Sequence, residues 1–148
     1  MKGLVSYWRD KYDWREQERR LNQFDQFTTD IDGISLHFIH VRSKHADALP
    51  LVITHGWPGS VAEFVKIIGP LTEPEKHGGK AEDAFHVVCP SLPGFGFSSK
   101  TTEPGWSSQR MAESIAKLMA RLGYSRYGAQ GGDWGSGVTR WQIGRAHV

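Results

Sequence analysis

Cysteine is almost missing from this chain: Cys89 is the only one among 148 residues. An intrachain disulfide is therefore impossible, and nothing in the composition demands an oxidising compartment. Long apolar runs are missing too. The start, MKGLVS, soon meets Arg9, Asp10 and Lys11, which leaves no room for a signal peptide core or a transmembrane helix. A cytoplasmic location is the resulting expectation. Charge of one sign is also scarce, since the formal net charge is +2 and both signs alternate without a basic block. That removes the electrostatic case for nucleic acid or an anionic membrane as partner. Internal repeats and low-complexity tracts are absent. His37, His40, His45, His77 and His86 lack metal-ligand spacing and read as structural or solvated. Gly94-Phe95-Gly96-Phe97 lacks the third glycine and following helix of a dinucleotide loop. No metal and no cofactor are expected.

What is present is a globular composition, 39% hydrophobic and 23% charged, enough for one domain at most. Residues 7–24, YWRDKYDWREQERRLNQF, could form a broken helix with Tyr7, Trp8, Tyr12, Trp14, Leu21 and Phe24 on one side. Packing of this arm against a core is expected, rather than an aromatic ligand platform. Strand patterns follow at 27–31 and 34–41, flanking the hairpin dipeptide Asp32-Gly33. In ISLHFIHV, alternation puts Ile34, Leu36, Phe38 and His40 on one face and Ser35, His37, Ile39 and Val41 on the other, so both faces should be partly covered. LPLVIT at 49–54 and FHVVC at 85–89 are short apolar runs typical of buried parallel strands, and 127–130 is a weaker third.

Helical patterns alternate with these strands. Ser60-Val61-Ala62-Glu63 is a capping box before Phe64, Ile67, Ile68 and Leu71. Ser107 or Ser108 caps a stripe of Met111, Ile115, Leu118, Met119 and Leu122 that ends at Gly123, and the methionines there read as core filling. Residues 72–83 form a polar Pro/Gly loop. The order implies an α/β fold, a mostly parallel sheet flanked by helices.

Two loops carry the chemistry. HGWPGS at 55–60 leaves the carboxyl end of a buried strand, where α/β proteins open their binding crevice. It can present the Trp57 N–H as a fixed donor, or it can be only a tight turn. GAQGGDWGSG at 128–137 has the glycine pattern of a nucleophile elbow, a sharp strand-to-helix turn, but with Asp133 where such turns often carry serine. Aspartate is also a good helix N-cap, so Asp133 alone is open to that reading. The two loops together, each after a strand and in order, favour a nucleophile. The N–H groups of Trp57 and Trp134 would then form an oxyanion hole. His55 reads as a structural hydrogen-bonding residue, and Phe95 or Phe97 as loop residues over the site.

These motifs, with YWRDKYDWR, QFTTDIDG, LHFIHVRS, ITHGWPGS, PSLPGFGFS, TTEPGW and YGAQGGDWGS, run from Tyr7 to Ser136. The chain is similar to the α/β-hydrolase superfamily and, within it, to epoxide hydrolases of the microsomal-like family. The resemblance implies Asp133 as nucleophile, Trp57 and Trp134 as backbone oxyanion donors, and a small epoxide plus water as partners. Aspartate suits an epoxide: attack on saturated carbon gives an ester, whose carbonyl water can then attack, whereas serine would give an inert ether. The family further implies a histidine base, its acidic partner and two cap tyrosines. The base and acid follow the nucleophile in chain order, where only His147 remains. A haloalkane dehalogenase, which also displaces at saturated carbon through an aspartate, and a non-catalytic binding protein of the same fold are the alternatives.

At this length the chain is expected to be a piece, with residues 1–25 as part of an N-terminal arm and 26–142 as the first part of the core up to the elbow. The cap would be absent. Residues 143–148, IGRAHV, spell the hexapeptide that a common sequencing adapter encodes before a stop codon, and are expected not to be native. Expressed alone, 1–148 should expose strand edge and apolar face, be poorly soluble and fail to turn over epoxides.

Overall fold

Asp32 and Gly33 adopt φ of 53° and 81°, the left-handed pair that lets a two-residue turn follow strand twist. The turn joins β1 (Gln26–Ile31) to β2 (Ile34–Val41) as an antiparallel hairpin in which Ile31 faces Ile34. This computed structural model describes residues 1–143; of the tail expected at 143–148, all but Ile143, His147 included, lies outside the described residues.

The hairpin edges a five-stranded sheet of order β1-β2-β4-β3-β5, with β3 at Leu49–Thr54, β4 at Phe85–Pro90 and β5 at Gly128–Gly131. β3 pairs parallel to both β4 and β5, and only β2 runs against the rest. From β3 the chain moves to β4 on one side, then crosses back to β5 on the other. A crevice opens where the connections diverge, at the carboxyl ends of β3 and β5.

Both sheet faces are covered, as the alternation in β2 implies. Leu36 and Phe38 join Val52 and Val88 beneath the apolar stripe of α4 (Ser108–Arg121), where Met111, Ile115, Leu118 and Met119 are buried. Ile39, Ile53, Val87 and Cys89 face Val61, Phe64 and Ile68 of the opposite layer, formed by a 3-10 turn (Val61–Phe64) running into α3 (Val65–Thr72). The capping box is formed: the Ser60 hydroxyl accepts from Ala62 N–H at 3.3 Å, and Ser60 N–H donates to Glu63 Oε1 at 3.0 Å. Ser107 caps α4, and Gly123, at φ 85°, follows its end. Ile67 faces solvent, because the first turn is 3-10 and the helical phase changes at Val65. Residues 72–83 hold two short 3-10 turns, Pro74–His77 and Ala81–Asp83.

The N-terminal arm corrects one expectation. It forms α1 (Lys2–Asp10) and α2 (Trp14–Asn22), broken where the Asp13 side chain caps α2 by accepting from Glu16 N–H. Neither helix buries a residue. Leu21 and Phe24 reach the second cluster, but Tyr7, Trp8 and Trp14 stay exposed. The polar faces of α2 are held by surface ion pairs of Glu16 with Arg19 and Arg20, which add little to packing. Among the described residues, no helix is long and apolar enough to cross a membrane.

Cys89 lies fully inside the second cluster, where burial pushes its thiol pKa up to about 12. A maleimide at pH 8 should therefore leave the folded chain unlabelled and react only after denaturant is added. Rapid stoichiometric labelling of the native chain would contradict this packing.

Candidate active site

The carboxyl end of β3 is tied directly to the helix after β5. Thr54, the last residue of β3, donates its hydroxyl towards the carbonyls of Gln130 and Gly135, each at 3.2 Å. Gly135 belongs to α5 (Trp134–Ile143), and a Cβ built there would stand 2.8 Å from the His55 carbonyl oxygen. Gly56 faces the elbow from the other loop, and its Cβ would fall 2.5 Å from Cβ of Asp133. These approaches are possible only without side chains.

Asp133 sits between β5 and α5 at φ 50°, a sparsely populated conformation for a non-glycine residue. Its carboxylate is met by two backbone donors. Trp57 N–H reaches Oδ1 at 2.9 Å and Trp134 N–H reaches the same oxygen at 2.7 Å. Ser136 secures the turn from behind, with its N–H and hydroxyl both on the Asp133 carbonyl oxygen at 3.0 and 2.6 Å. An N-cap aspartate has β-region dihedrals and bonds the second or third helical amide. Asp133 does neither; its Oδ1 bonds the first amide of its own helix and an amide from a separate loop. Those two N–H groups hold the carboxyl below its usual pKa, against a smaller opposing effect of desolvation.

The structure thus brings Asp133, Trp57 and Trp134 together. Asp133 and Trp57 border a cleft of about 350 Å³ lined also by Thr54, His55, Pro58, Phe64 and Gln130. The Trp57–Pro58 peptide is cis, and both tryptophan side chains are largely exposed while their amides face inward. His55 is structural, as expected. It is buried, its Nε2 accepts from Leu92 N–H at 3.1 Å, and its Nδ1–H donates to the Gly56 carbonyl at 2.9 Å. Among the described residues, no histidine hydrogen-bonds Asp133. His40 pairs with Tyr124, His45 with Glu75, and His86 accepts from Ser43 N–H. Phe95 turns inward to the first cluster and meets the His55 ring edge-on at 5.7 Å, whereas Phe97 points outward over His37.

Sequence reasoning missed the Thr54 tie and a buried chain joining Gln26, His37 and Ser91. His37 Nε2 lies 2.9 Å from Gln26 Oε1, and its Nδ1 lies 2.9 Å from Ser91 Oγ. The only signal was the inward phase of His37 on β2.

Residues 50–142 match the family described as alpha/beta hydrolase fold, and residues 1–64 match epoxide hydrolase N terminus. The chain belongs to the alpha/beta hydrolase fold family. Several of the proteins it resembles are named epoxide hydrolase. A Stigmatella aurantiaca protein is 61% identical over 139 residues, covering 94% of this chain and 32% of that protein. Epoxide hydrolase 1 of Sus scrofa is 46% identical over 140 residues, covering 92% and 31% respectively. The crystal structure of juvenile hormone epoxide hydrolase from the silkworm Bombyx mori superposes with a TM-score of 0.83 at 38% identity, covering 95% of this chain and 33% of that one. The chain thus spans about a third of the length of the curated relatives it matches.

Substituting Gly135→Ala should lower stability by about 1–3 kcal/mol, since the added methyl meets backbone rather than a movable side chain. The midpoint of a denaturant titration reads this directly, and an unchanged midpoint would show that the close approach of α5 to β3 is not maintained.

Proposed function

We propose that the whole protein hydrolyses epoxides to vicinal diols through an ester on Asp133, with Trp57 and Trp134 as oxyanion donors. The observation that carries this reading is the convergence of two backbone N–H groups on Oδ1 alone. Oδ2 is the oxygen that attacks. It forms a bond to an epoxide carbon while the carbon–oxygen bond of the ring breaks, and the released alkoxide takes a proton. The ester carbonyl oxygen is then Oδ1, already between its two donors. Water, losing a proton to a base, adds to that carbonyl and places negative charge on Oδ1, the position the donors are built to stabilise. Collapse returns the carboxylate and releases the diol. The base and the acid that protonates the alkoxide would be supplied elsewhere in the whole protein. The names of the relatives favour this reading over a dehalogenase or a binding protein.

In a single turnover in heavy-oxygen water, the first diol should carry unlabelled oxygen from Asp133, and label appearing in it would exclude the ester route. Asp133→Asn should lower turnover by about a thousandfold or more.

The lowered pKa of Asp133 fixes the sign of a pH effect. The anion is the nucleophile and persists below the usual carboxylate range, so ester formation should stay fast as pH falls through 4 and decline only beneath it. The donor bonds to the anion contribute stability above the unfolded pKa, and that contribution is lost as pH falls through the folded one. A rate of ester formation that titrates near pH 5 to 6 would contradict the donor geometry.

A further inference from the structure

The buried imidazole of His37 takes no part in this chemistry, yet it sits in a directional hydrogen-bond chain. Gln26 Nε2 donates to the Leu21 carbonyl and to Asn22 Oδ1, each at 3.3 Å, which orients the amide with Oε1 towards His37. An amide oxygen only accepts, so His37 Nε2 carries the proton and Nδ1 accepts from the Ser91 hydroxyl. Burial holds the ring below its usual pKa and keeps it neutral, consistent with that tautomer.

Ser91 begins the loop leaving β4, and the loop is closed around it. Ser91 N–H donates to the His37 carbonyl at 2.9 Å. The Ser98 hydroxyl donates to the Ser91 carbonyl at 2.7 Å and accepts from His37 N–H at 3.0 Å. The next residue, Leu92, donates its N–H to His55 Nε2, and His55 Nδ1–H in turn holds the carbonyl of Gly56, the residue before Trp57. Phe95 of the same loop rests on the His55 ring.

We propose that His37 is a positioning residue for the Trp57 N–H donor, acting through Ser91, Leu92 and His55. The inference rests on the reading of Asp133 as a nucleophile whose Oδ1 becomes the oxyanion. It carries a signed kinetic consequence. The Trp57 donor stabilises negative charge on Oδ1, which is lost when the ester forms and regained when water attacks. A displaced donor therefore slows ester hydrolysis without slowing ester formation.

The test is pre-steady-state kinetics of the whole protein with styrene oxide, resolving the two steps. His37→Leu and His37→Gln should slow ester hydrolysis about tenfold while ester formation does not fall. Glutamine can still reach Gln26 but not Ser91. His37→Asn, whose Oδ1 can take the place of Nδ1 and accept from Ser91, should restore hydrolysis to near the unsubstituted rate. Ser91→Ala should reproduce the leucine variant and carries the test if that variant does not fold. Equal losses in both steps, no change in either, or an asparagine variant as slow as leucine would each overturn the proposal. No ester in the unsubstituted protein would instead overturn the nucleophile reading itself.

Discussion

The Trp57 and Trp134 amides meet at one carboxylate oxygen, and that meeting sets how closely three chain segments must approach. The loop after β3, the end of β5 and the start of α5 would collide if Gly56 or Gly135 carried a side chain. The turn at Asp133 is held at φ 50°, a conformation of the kind that costs on the order of 1–3 kcal/mol and persists only where surroundings fix it. Here they do. Thr54 grips both sides of the elbow, Ser136 closes the turn, and the two tryptophan amides hold the carboxylate in front.

The same arrangement explains why a carboxylate can stand where an α/β elbow often holds serine. A serine needs a neighbouring base before it can attack, whereas an aspartate held below its usual pKa is already an anion. No histidine is required beside it for the first step, and none bonds it among the described residues. The donors that keep the anion charged also oppose its neutralisation, so on the proposed mechanism they would favour the second step over the first. Ring strain in an epoxide, and protonation of its oxygen, would supply what the nucleophile's lowered basicity withholds.

Much of the fold was legible because its signals are local. Asp32-Gly33 gave the hairpin, continuous apolar runs gave β3 and β4, and Ser60 with Glu63 gave the cap before α3. The geometry of the candidate site was legible for a similar reason: glycines crowd where backbones must touch, and the backbone donors adjoin those glycines. What stayed hidden depends on contacts distant in sequence. His37 finds Ser91 across 54 positions, with no spacing rule to announce it. The arm misled because YWRDKYDW has an amphipathic pattern, yet among the described residues its aromatic face meets little of the core. Periodicity shows that a face is apolar but does not name what it packs against.

On the proposed mechanism, Asp133 becomes covalently bound to substrate at the oxygen not held by the amides. The most direct measurement is mass spectrometry of the whole protein quenched in acid within milliseconds of mixing with styrene oxide, then digested. A mass increase equal to the epoxide, confined to the peptide carrying Asp133 and absent from Asp133→Asn, is the predicted result. An adduct on another residue, or turnover with no adduct at any quench time, would contradict it.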